Sequence, residues 1–280
     1  MTKPYLNKTV FALIDLSSKE EDQKNVAKYA AHLANELHIP LVLYPQRDGR
    51  TPAFKIRRSI NSARKISTTQ VRISKLKINA FSIFSSIQDI AQQEMAAFIV
   101  MGADKKSVLF LGRTIWSTTQ QTIIPTILLP RNIDFVPYHT ITIAVDMEKK
   151  IQKLKTVSLL AKVFHSKINI FGENAKDTDN KFTIYQVAQN MIAYLDKAKI
   201  PYEVIQARKT KNFPKHLCKF SAKNSDLLVI EVDPGKIPSV VKQNIETLLT
   251  LGNDPTTSKA QPKPVMLTKT KMTGKLQNFR

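Results

Sequence analysis

Short apolar runs rich in β-branched residues recur along the chain, and two of them are nearly the same. Thr9-Val10-Phe11-Ala12-Leu13-Ile14 closes on Asp15, and Thr140-Ile141-Thr142-Ile143-Ala144-Val145 closes on Asp146 with the same spacing from threonine to aspartate. A continuous apolar run of this length is how a parallel strand buried on both faces reads. After each aspartate comes a polar turn and then spacings of three and four. Val26, Tyr29, Ala30, Leu33, Ala34 and Leu37 make one apolar helical face in the first copy, and Leu154, Val157, Leu160, Ala161 and Phe164 make one in the second.

The parallel continues through the rest of each half. Second strands are predicted at Leu41 to Tyr44 and Ile168 to Phe171, and third strands at Val71 to Ile78 and Tyr202 to Ala207. Helices precede the third strands at Pro52 to Lys65 and Phe182 to Lys197. Fourth strands follow at Phe98 to Gly102 and Leu227 to Glu231, each trailed two residues later by an aspartate, Asp104 and Asp233. Pro125 to Leu129 and Pro264 to Leu267 read as short fifth strands. Recurrence in matched order marks an internal repeat. Alternation of strand and helix argues for parallel sheets covered on both faces. Two units are expected, over residues 1–134 and 135–270, with Pro130 to Tyr138 as the linker and a basic tail over 271–280.

Five strands in this order, an aspartate closing the first and a Met-Gly closing the fourth, resemble a universal stress protein, and the duplication resembles the tandem members of that family. The strongest stretch is Phe98 to Leu129. The resemblance implies two doubly wound α/β sheets of the adenine-nucleotide alpha hydrolase-like, Rossmann-like type, with strand order 3-2-1-4-5, packed as a pseudo-dimer through their fifth strands. That pairing would cover two edges that otherwise invite aggregation. It also implies a stress-response function, and in many members ATP in the crevice where strands one and four diverge, the usual ligand position of open α/β sheets.

The residues of that crevice depart from the family pattern. Its nucleotide-binding members carry, after strand four, a glycine, two residues, a second glycine, nine residues, and a third glycine followed by Ser or Thr. Glycines let the backbone approach phosphates, and the next helix N-terminus favours their charge. Gly102 fills the first position, but Lys105 stands at the second, and Gly112, followed by Arg113 and Thr114, leaves the loop about three residues short. In the second copy Glu231 replaces the first glycine and sets a negative charge where a triphosphate would lie. The expectation is therefore a non-enzymatic protein with an eroded nucleotide site and no cofactor. The alternative keeps one ATP or AMP in the first copy through Asp15, Leu43, Gly102, Gly112 and Thr114. Asp15 and Asp146 match the family aspartate that contacts adenosine, although an aspartate at a strand end also commonly caps the following turn or helix.

Composition adds one anomaly. The 280 residues carry a formal net charge of +21, with 19 Lys and Arg against 10 Asp and Glu before position 136 and 24 against 12 after it. No single arm holds the charge. The densest patch runs from Arg50 to Lys77 without an acidic residue, and it suggests contact with a polyanion such as nucleic acid, since clustered cations release counterions from a phosphate backbone. Phe54 is its only aromatic residue, too little for a single-strand stacking platform.

Other chemistry is sparse. The five histidines, His32, His38, His139, His165 and His216, are scattered without a zinc spacing. Cys218 is the single cysteine and sits on a predicted helix, Lys215 to Lys223, as a small hydrophobe; Trp116 reads as a packing anchor. No intrachain disulfide is possible, no run approaches a membrane span, and the N-terminal segment lacks a signal-peptide pattern, so a cytoplasmic location without a membrane partner is expected. Beyond the pairing of the two copies, a homodimer of whole chains stays open.

Overall fold

The computed structural model describes residues 7–16, 18–46, 54–74, 83–103, 122–131, 133–145, 152–173, 184–207, 213–232, 245, 249 and 262–269. The first half contains β1 (Thr9–Asp15), α1 (Glu20–Leu37), β2 (Leu41–Gln46), α2 (Phe54–Ile66), β3 (Val71–Ile73), α3 (Ile83–Gln93), β4 (Ala96–Gly102) and β5 (Thr126–Leu129). The second contains β6 (Thr140–Ala144), α4 (Gln152–Phe164), β7 (Lys167–Glu173), α5 (Ile184–Ala198), β8 (Tyr202–Ala207), α6 (Phe213–Asn224), β9 (Leu227–Val232) and β10 (Val265–Lys269).

Ten strands form one sheet, in the order β3-β2-β1-β4-β5-β10-β9-β6-β7-β8. Each half alone runs 3-2-1-4-5 and is parallel throughout. The two sheets expected from the sequence are joined edge to edge into a single continuous one. Its cause is the pair of short fifth strands: β5 and β10 lie antiparallel, with Val265 opposite Leu128, Met266 opposite Ile127 and Leu267 opposite Thr126. Equivalent edges meeting about an approximate two-fold must run antiparallel, and the union satisfies backbone groups that each edge alone would leave open.

Alternation along the strands builds two core layers. In β1, Val10, Ala12 and Ile14 face one layer and Phe11 and Leu13 the other, all nearly inaccessible to solvent. The first layer lies under α1, α2, α4 and α5 and runs unbroken from Val10 to Met266, so it belongs to both halves. The second lies under α3 and α6. β3 ends at Ile73, with Ser74 already outside the strand; the remainder of its predicted span, 75–78, lies outside the described residues.

Helix ends are set by local chemistry. Glu20, Glu21 and Asp22 crowd the first turn of α1, where the helix dipole favours negative charge. The chain has only seven glycines, and three helices end on other residues in the left-handed region: His38 (φ 54°), His165 (φ 53°) and Lys199 (φ 54°). After each, the next amide reaches back to close the helix, Ile39 to Ala34 at 3.1 Å, Ser166 to Ala161 at 2.8 Å and Ile200 to Leu195 at 3.0 Å. Two of the five histidines thus have structural work.

The halves are also stapled above the sheet. Tyr29 of α1 and Tyr138, just before β6, share a buried hydroxyl–hydroxyl hydrogen bond of 2.6 Å. Phe135 packs edge-on to Tyr29 at 5.0 Å and stacks on His32 at 5.2 Å, while Tyr138 meets Phe164 of α4 at 4.8 Å. Burial pushes both tyrosine hydroxyls well up from their usual value, and it raises Tyr44 to about 12 and the Cys218 thiol to about 12. These acids stay protonated in the fold after the unfolded chain has released its protons, so the unfolded state binds fewer protons above about pH 8.5 for the thiol and about pH 10 for the tyrosines. Stability is therefore expected to be insensitive to the tyrosines from about pH 7 to 9 and to begin falling through Cys218 between about pH 8 and 9. Between pH 10 and 12 it should fall by about 1.4 kcal/mol per pH unit for each group ionised only in the unfolded chain. Denaturant midpoints measured across this range check it, and a flat profile to pH 11.5 would contradict the buried placement.

Candidate functional site at the first crevice

The strand order reverses between β1 and β4, where parallel α/β sheets open a crevice at their C-terminal ends. The register sets Leu13 beside Met101, which brings Asp15 and Gly102 to the same end of neighbouring strands. Asp15 pairs with Gln46 across β2, and its carbonyl accepts hydrogen bonds from the Ser18 amide at 3.3 Å and the Ser18 hydroxyl at 2.8 Å. Gln23, only 2% exposed, donates its side-chain amide to the carbonyls of Leu16 (3.3 Å) and Ser18 (2.9 Å). The loop from β1 to α1 is thereby tied to the helix it precedes.

Gly102 has a packing reason to be glycine. A Cβ there would stand 3.1 Å from Val26 Cγ2 of α1, tighter than an ordinary contact. Helix α1 crosses the end of β4 so closely that the missing side chain is used by protein. Beside Gly102 lies an open depression lined by Asp22, Asn25, Val26, Ala103 and Arg131 among others, with about 20 Å³ of usable cavity volume. That is room for about one water molecule, far below the roughly 300–1,000 Å³ of ordinary ligand pockets. Asp22 Oδ2 stands 4.0 Å from Arg131 Nε; burial raises the Asp22 pKa, and the guanidinium offsets part of that rise.

The other predicted site residues are dispersed. Leu43 is fully buried in the layer under α1 and α2, opposite Ala12, and its carbonyl accepts from the Ser74 amide at 3.0 Å. Gly112 and Thr114 lie outside the described residues, as do Asp104, Lys105, Lys106, Arg113, Trp116, Asp146 and Asp233. In the second half Glu231, one residue before the end of β9, lies beside Thr268 of β10, half-buried at the position that Gly102 holds in the first. Cys218 is buried on α6, and its raised pKa keeps the thiol protonated at neutral pH, where it is a poor nucleophile. No group of three His, Cys, Asp or Glu among the described residues is arranged to hold a metal, and no described helix is long and apolar enough to cross a membrane. Sequence reasoning missed Gln23, Asp22 and Arg131 at this site.

A tandem doubly wound α/β protein with one crevice per half is the class these features define. No family model matches the chain, and no curated protein matches it. Solved structures do. A universal stress protein from Archaeoglobus fulgidus DSM 4304 superimposes with a TM-score of 0.61 at 14% identity, over 92% of this chain and 96% of that one. A protein of unknown function from Pseudomonas aeruginosa PAO1 gives 0.60 at 11%, over 94% and 93%. The cytoplasmic domain of a prokaryotic cation chloride cotransporter gives 0.55 at 9%, over 93% and 94%. The chain has the fold of a tandem universal stress protein over almost its whole length, and that fold also serves a transporter's cytoplasmic domain.

Proposed function

We propose that this chain is a non-enzymatic, cytoplasmic stress-response protein of the tandem universal stress type, whose halves act as an intramolecular pseudo-dimer and whose nucleotide sites are eroded. One observation carries the reading: the space freed by Gly102 is taken up by Val26, and the equivalent position in the second half is a carboxylate, Glu231. A phosphate needs backbone amides it can approach closely and positive surroundings. In the first half the glycine is spent on packing, and in the second a negative charge opposes the ligand. A single buried cysteine and joined fifth strands agree with a reducing compartment and a paired unit.

A second reading has one observation in its favour, the cavity beside Gly102 with Asn25 and Arg131 on its wall. It keeps ATP or AMP in the first half, with Asp15, Leu43, Gly102, Gly112 and Thr114 around it. Thermal melting separates the two. A ligand at one hundred times its Kd adds about 2.7 kcal/mol to the native state, a shift of several degrees. With 5 mM Mg-ATP or AMP the melting temperature is expected to move by less than about 1 °C. A rise of several degrees that disappears in Asp15→Ala would establish the second reading instead.

A further inference from the structure

Helix α2 divides its sides cleanly. Ile56, Ser59, Ile60 and Ala63 are buried, while Arg57, Arg58, Asn61, Arg64 and Lys65 are exposed. At about 100° per residue those five exposed positions fall within about 120° of arc, and they run along about 12 Å of helix axis. Arg58 pairs with Glu20, which also holds Lys24 at 2.6 Å. No described residue pairs with Arg57, Arg64 or Lys65. Arg72, the next cation along the chain, is committed to Glu94 at 2.5 Å and lies outside the stripe.

We propose that the exposed cationic stripe of α2 is a docking face for the phosphate backbone of double-stranded nucleic acid, read without sequence preference. Three features favour this occupant. The charge is a line rather than a broad field, and over about 12 Å of axis a duplex presents about seven phosphates. Guanidinium groups dominate the stripe, and their planar forks suit phosphate oxygens. Its described apolar side chains, Ile56, Ile60, Ala63 and Ile66, pack into the core under α1 and α2, so none among the described residues remains to enter a lipid interface, and no described aromatic side chain lies in the stripe to stack on unpaired bases. No residue of the stripe lines the cavity at Gly102, and the inference holds whether or not that crevice binds a nucleotide.

The test is fluorescence anisotropy of the full chain with a labelled 24-base-pair duplex between 50 and 300 mM KCl. Two triple variants carry the same change of net charge: Arg57→Gln/Arg64→Gln/Lys65→Gln on the stripe, and Lys197→Gln/Lys219→Gln/Lys223→Gln on exposed positions of α5 and α6. The stripe variant is expected to bind at least about tenfold more weakly at 100 mM salt, with a log–log salt slope shallower by about 2.7, as for three released counterions. The α5/α6 variant should stay within twofold of the parent. Equal losses in both variants would mean diffuse attraction by the net charge and would overturn the proposal. So would no duplex binding at 50 mM salt, or binding to phosphatidylserine vesicles or single-stranded DNA in preference to duplex. Melting curves of both variants confirm that the fold is intact.

Discussion

Replacing Met266 with aspartate is expected to destabilise the protein by about 4–5 kcal/mol, because an unpaired carboxylate would be forced into a fully buried position. Met266 is inaccessible to solvent and lies directly opposite Ile127 in the antiparallel seam of β5 and β10. The seam is narrow, three paired positions, yet the core layer beneath it spans both halves. The charge would therefore disturb the strand contact that, among the described residues, makes one sheet of two. Met266→Leu conserves volume and is expected to cost less than about 1.5 kcal/mol. Urea titration of both variants checks this; similar midpoints for the two would show that the seam contributes little.

The second large effect is expected at Tyr138. Tyr138→Ala empties a fully buried aromatic site between α1 and α4 and should cost about 3–5 kcal/mol. Tyr138→Phe keeps the ring but strands the buried hydroxyl of Tyr29, at about 1–3 kcal/mol. Because the two hydroxyls satisfy each other at 2.6 Å, Tyr29→Phe with Tyr138→Phe should cost less than the sum of the single changes. Equilibrium unfolding of the four-member cycle measures the coupling. Additive costs would mean that the hydroxyls find other partners.

Much of the fold was legible because buried parallel strands advertise themselves. The run is apolar at every position from Val10 through Ile14, since β1 is covered on both faces, and β8 falls at the residues expected, Tyr202–Ala207. Helix α3 is not legible in the sequence. Its Ile83, Ile87 and Ile90 have helical spacing, but the serines and glutamines between them dilute the signal over eleven residues. The short fifth strands were readable as brief apolar runs after proline, and the edge problem they pose pointed to their pairing. Their register was not readable, because nothing local in either run sets Met266 opposite Ile127.

The site was less legible than the scaffold, and for a physical reason. Gly102 carries a phosphate-loop meaning only by its place in a spacing, while its packing against Val26 depends on how α1 crosses β4, which no local pattern records. Asp22 and Arg131 meet only because the linker after β5 returns across α1. Tyr29 and Tyr138 are partners across 109 residues. Long-range polar pairs of this kind follow from the completed topology rather than from composition or period.

Hydrogen exchange of individual backbone amides in the folded protein tests most directly whether the halves form one continuous sheet. Amides in a cooperative core open only with global unfolding, whereas independently opening units exchange faster. Equal protection is expected for the seam residues Ile127, Leu128, Val265 and Leu267 and for the central residues Ala12 and Ile143 of the two halves. Exchange at the seam faster by two or more orders of magnitude, with β1 and β6 still protected, would contradict it and describe two sheets that only touch.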